Sequence, residues 1–82
     1  MAVWYHGDDY YFTHIDKKEI NLKAKSQNNI IVSIYDHSRD IGDTLVEESE
    51  VDSMDNAKEK ISLHIQDRIN LPPLEKLLKI QK

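Results

Sequence analysis

Cysteine is absent from the 82 residues. Neither a disulfide framework nor a thiolate metal site can be built, and the staples on which small secreted domains depend are missing, so a reducing, cytoplasmic setting is expected. Two glycines and two prolines are too few for a low-complexity segment. Long apolar runs are also lacking: the longest uninterrupted aliphatic stretch is Ile30-Ile31-Val32, far short of the roughly 20 residues of a membrane-spanning helix. The opening MAVWYHGDD has no basic region followed by an apolar run, so neither secretion nor membrane contact is expected. Cations are scarce in two places. None occurs before Lys17, and none lies between Asp40 and Asp55.

What that second stretch does contain is acid. DIGDTLVEESEVDSMD holds seven carboxylates in sixteen positions: Asp40, Asp43, Glu47, Glu48, Glu50, Asp52 and Asp55. The net charge of −4 is therefore regional. Residues 1–35 balance, residues 36–57 sum to −7, and residues 58–82 sum to +3. A field of that sign repels phosphates and attracts basic surfaces, which argues against direct nucleic-acid binding through this region.

A chain of this length forms one domain, residues 1–82, near the lower limit for a single core, since it buries only about 60–65 % of its unfolded surface. Hydrophobic content of 39 % and charged content of 32 % suit a globular fold. Val3-Trp4-Tyr5 and Tyr10 to Thr13 flank Gly7-Asp8-Asp9, a hairpin signal in which Gly7 is free to take positive φ. A second pair follows. INLKAK alternates as an outer strand would, Ser26-Gln27-Asn28-Asn29 turns the chain, and IIVSIY, apolar on both faces, reads as central. Thr44-Leu45-Val46 adds a short edge strand. From Val51 the period changes: Val51, Met54, Ala57, Ile61, Ile65 and Ile69 share one helical stripe, with Ser49 or Asp52 as its cap. Leu71-Pro72-Pro73 stops that helix, and Pro73 opens a short last one bearing Leu74, Leu77 and Leu78. The expected fold class is α+β, an antiparallel meander of about four strands packed by one main helix and a short C-terminal helix.

The candidate sites each have a plainer account. A solvated loop and the usual acid excess at a helix start explain about three of the seven carboxylates; the remainder suggest a docking surface for a basic protein. The acids lack the spacing of a calcium loop. Asp36-His37-Ser38-Arg39-Asp40 contains the residue types of a hydrolase triad, but neighbours along a chain point apart, and a polar turn accounts for them better. His6, His14, His37 and His64 show no metal-ligand spacing, so no metal or other cofactor is expected. Five of six aromatics crowd into residues 4–12. Alternation turns Trp4 or Tyr5 and one of Tyr10 and Tyr11 outward as anchors for a protein partner, Trp4 and Tyr11 being the pair chosen here. Leu63 is expected to be exposed, opposite Ile61 and Ile65.

Residues 49–73, SEVDSMDNAKEKISLHIQDRINLPP, resemble the helix of HicB-type antitoxins. The shared elements are Ser49, Asp52, Asn56-Ala57-Lys58-Glu59, Ile61-Ser62-Leu63-His64-Ile65 and Leu71-Pro72-Pro73. Where that family continues its first hairpin with Pro-Asp-Leu-Pro-Gly-Cys, this chain has Tyr35-Asp36-His37-Ser38-Arg39-Asp40. The resemblance implies a small sheet-plus-helix domain, partly RNase H-like in shape and without its active site, that neutralises a basic RNA-cleaving toxin.

The functional expectation is a non-enzymatic inhibitor or antitoxin-like module docking on a basic partner. A phage or mobile-element protein that mimics nucleic-acid charge belongs to the same physical class. Two rivals are a self-associating structural subunit, as a homodimer through the aromatic hairpin, and a small hydrolase using His37 with Asp36 or Asp40.

Overall fold

The computed structural model describes residues 3–37, 44–65 and 69–79. Among them are strands β1 (Tyr5–His6), β2 (Tyr11–Ile15), β3 (Lys18–Ser26), β4 (Asn29–Asp36) and β5 (Thr44–Val51), then helices α1 (Met54–Ser62) and α2 (Leu74–Lys79). The strands lie side by side in chain order, each antiparallel to the next. This is the α+β meander expected from the sequence, with a fifth strand.

The pairing of β3 with β4 organises the molecule. Ile20, Leu22 and Ala24 stand opposite Ile34, Val32 and Ile30, and all six are fully buried. A side-chain period of two puts them on one face of the sheet. Both helices pack there, α1 against β4 through Ala57 and Ile61 and α2 against β3 through Leu77. The sequence reading of residues 20–25 as an outer strand does not hold, since β3 is third of five. Alternating polarity reports that one face of a sheet is open, and it carries no information on position within the sheet.

Two turns differ from expectation. Gly7 lies between β1 and β2, its N–H donating to the Tyr10 carbonyl at 2.8 Å, yet it is space rather than φ that requires glycine: a Cβ there would collide with the Tyr10 ring. Positive φ falls instead on Asp16, at 55°, in the two-residue turn joining β2 to β3. Aspartate tolerates that conformation better than most residues.

β5 is longer than the three residues expected, and it absorbs Val51. A register shift opposite Ile34 and Tyr35 leaves Val46 as the extra residue of a bulge. The helix is correspondingly shorter than its periodicity. Ser53 caps it, rather than Ser49 or Asp52, accepting from the Asn56 N–H at 3.2 Å. At the far end the N–H groups of Leu63 and His64 donate to carbonyls three residues back and close the last turn. Ile65 and Ile69 remain 6 % exposed although neither is helical. The recurring aliphatics were core positions throughout, but only Met54, Ala57 and Ile61 reach the core on α1.

The N-terminal segment is fastened at two points. Buried Thr13 donates its hydroxyl to the Val3 carbonyl at 2.6 Å, and the Trp4 indole N–H donates to the Asn70 carbonyl. Neither helix is long and apolar enough to cross a membrane.

α2 presents a single fully buried residue to the sheet, so Leu77→Ala is expected to cost roughly 2–4 kcal/mol, whereas Ser53→Ala, which removes only the cap, should cost about 1 kcal/mol. Urea unfolding followed by circular dichroism measures both.

Candidate functional site

Three of the run's seven carboxylates, Glu47, Glu48 and Glu50, lie on β5, and strand geometry divides them. Along β5 the side chains alternate between the two faces of the sheet. Glu47 and Ser49 pair with buried Ile34 and Val32 and face the helices, while Glu48 and Glu50 pair with Ser33 and Ile31 on the other face. Asp52 lies in the turn before α1, where it accepts a hydrogen bond from the Asn56 amide at 2.5 Å, and Asp55 occupies the first helical turn. Asp40 and Asp43 lie outside the described residues.

On the helix side Glu47 is compensated. Its Oε1 accepts from His64 Nε2 at 2.7 Å and its Oε2 from the Ser49 hydroxyl at 3.0 Å. Those two hydrogen bonds, His64 first, hold its carboxyl below the usual carboxylate range, with the charge of Lys60 adding a smaller pull. Lys18 secures the same corner by donating to the His64 carbonyl at 2.9 Å. Glu47 is therefore a structural link between β5 and the end of α1.

The run is scattered: Glu48 accepts from Ser33 on the uncovered face and Asp55 lines a separate depression beside Lys58, so that of its described members only Glu50 and Asp52 meet where β5 joins α1. Among the described residues β5 is an edge strand, and at its C-terminal end, between the β3–β4 turn and α1, lies an open groove of about 540 Å³ lined by Asn29, Glu50, Val51, Asp52, Glu59 and Leu63 among others. Lys60 is the one base among the described lining residues. Leu63 is 70 % exposed there, as the sequence suggested. Glu50 has a distant cation in Lys25, at 3.9 Å. Sequence reasoning missed Glu59, although a signal existed: Asp52, Asn56, Glu59 and Leu63 follow one another at intervals of four, three and four, which is one exposed stripe of the helix and its approach.

The face of the sheet away from the helices forms cross-strand rows. One runs Tyr5, Phe12, Asn21, Ser33, Glu48, and its neighbour runs His14, Glu19, Tyr35, Leu45. Rings of Tyr5, Tyr10 and His14 all lie within 6 Å of Phe12, at 5.7, 5.8 and 5.9 Å between centroids. The outward aromatics are thus Tyr5, Tyr10 and Phe12. Trp4 and Tyr11, the pair chosen from sequence, are half-buried and pack against the core cluster. At the end of the second row Glu19 Oε1 meets His14 Nε2 at 2.9 Å and His37 Nε2 at 3.1 Å. His37 therefore faces Glu19, while Asp36 precedes it on the alternate side of the strand.

No family model, curated protein or solved structure gives a significant match. Function has therefore to be argued from the surfaces just described.

Glu47 yields a pH prediction. A carboxyl held below its ordinary range stabilises the fold above that range, and the stabilisation disappears as pH falls through the depressed folded value. Glu47→Gln is expected to be roughly 1 kcal/mol less stable than the parent at about pH 7, with the gap narrowing once pH is taken below the ordinary carboxylate range of about 4. Urea midpoints above and below that range measure it, and a gap that persists in acid would show that Glu47 acts by shape instead.

Proposed function

We propose that this chain is a non-catalytic, cytoplasmic binding module that takes up a basic segment of another protein in the groove between the end of β5 and α1. One observation carries the reading: the carboxylates of Glu50, Asp52 and Glu59 line one open groove with an apolar contribution from Val51 and Leu63. Side chains on a groove wall select which peptide is accepted. Here they select Lys and Arg.

The resemblance of residues 49–73 to HicB-type antitoxins gives this reading its particular form, since Asp52, Asn56, Glu59 and Leu63 all fall within that segment. An inhibitor of a small basic RNA-cleaving enzyme would place its acids where the enzyme otherwise holds phosphates. The net charge of −7 over residues 36–57 steers the partner in, affecting association rate more than final affinity.

Glu50→Lys combined with Glu59→Lys tests the proposal without touching Glu47. The parent, immobilised and exposed to lysate of its native host, is expected to retain a basic protein at low salt and to release it as ionic strength rises, because exposed charges are screened beyond a Debye length of about 10 Å at 0.1 M. The double variant, with its circular dichroism unchanged, is expected to retain at least about tenfold less of it. Equal retention by both proteins removes the groove from the interface.

A further inference from the structure

We propose that His14, Glu19 and His37 form an open three-ligand site for a divalent transition-metal ion of the Zn²⁺ class on the uncovered face of the sheet. The three side chains come from separate parts of the chain, and the sheet register assembles them. His14 is the direct cross-strand partner of Glu19, and Glu19 pairs with Tyr35, two residues before His37 on the same face. The ladder continues past the end of β4, where the His37 N–H donates to the Lys17 carbonyl at 2.7 Å. All three backbone positions are thus fixed by regular pairing, and the Asp16-Lys17 turn is too short for His14 to slide past Glu19.

The donor set has the right chemistry. Two imidazole nitrogens and one carboxylate oxygen suit Zn²⁺ and its neighbours and are a poor set for Ca²⁺ or Mg²⁺, which take oxygen ligands. The donors also converge. One oxygen, Glu19 Oε1, lies 2.9 Å from His14 Nε2 and 3.1 Å from His37 Nε2, and one atom from each residue lies within 4.8 Å of the others. Bonds of about 2.0–2.1 Å at tetrahedral angles place neighbouring ligand atoms about 3.3 Å apart, so the two Glu19–histidine separations have to open by a few tenths of an ångström, and the two imidazoles, whose ligand atoms lie within 4.8 Å of each other, have to close by no more than about 1.5 Å. The rings are also supported: His14 lies between the rings of Phe12, at 5.9 Å, and His37, at 5.5 Å. Side-chain exposures of 59 % for His14, 31 % for His37 and 22 % for Glu19 leave an ion's fourth position facing solvent. The site is independent of the β5 groove, so either can fail without the other.

The test is titration of the whole chain, first stripped with a chelator, with Zn²⁺ in a calorimeter and in parallel by amide and imidazole NMR shifts. One Zn²⁺ per chain is expected, Ca²⁺ should produce no response, and the largest shifts should fall on His14, Glu19 and His37. His14→Ala and Glu19→Gln, the latter preserving side-chain shape, should each weaken binding by roughly 100-fold, while His6→Ala and His64→Ala leave it unchanged. Absence of stoichiometric binding overturns the proposal, as does parent-like affinity in both ligand variants. Shifts centred on His6 or His64 overturn it as well, and that measurement needs no variant to fold.

Discussion

Six side chains on two strands have to be kept from water together: Ile20, Leu22 and Ala24 of β3 against Ile34, Val32 and Ile30 of β4. The rest of the architecture is what an 82-residue chain can place over them. Two short helices, nine and six residues long, cover one face, and nothing of comparable size remains among the described residues for the other. The opposite face is consequently built from residues that tolerate water or satisfy one another across strands, as Lys23 does with Asp9 at 2.8 Å and Ser33 with Glu48 at 3.2 Å. Both candidate surfaces follow from this one-sided burial. The histidine cluster lies on the uncovered face, and the acidic groove lies at the margin where covering stops.

β5 shows the same constraint acting on charge. A strand beside β4 must send alternate residues toward the helices, and in this sequence one of those is Glu47, level with Ile34. A carboxylate in that position needs partners. It finds them in Ser49 and His64, while Lys18 holds the His64 backbone in place. The end of α1 is thus fixed by polar contacts as well as by Ile61 and Ile65, which is why the chain can leave the helix after Ser62 and still keep Ile65 buried.

Sequence alone disclosed the meander, both helices and nearly all the core, because alternation in residues 20–35 and the three-and-four spacing from Met54 to Ile61 are local signals. It misjudged β5, where glutamates of low strand propensity resemble a loop or a helix start; the decision was made by the edge of β4, which no local pattern encodes. The helix was drawn too long for a related reason, since Ile65 and Ile69 are core residues whose period happens to match. The divided fates of Glu47 and Glu48 depend on register, where a slip of one residue exchanges the faces. His14, Glu19 and His37 were unreadable as a group, because separations of five and eighteen residues acquire meaning only once three strands are aligned.

A bare strand edge invites indiscriminate pairing, above all with another copy of itself, and native sheets blunt such edges with charge. Two β5 margins brought together antiparallel would crowd Glu48 and Glu50 against the same residues of a sister molecule, and that repulsion discourages stacking into open-ended assemblies. The feature that would welcome a cationic guest would therefore also act as a guard against pairing with its own kind.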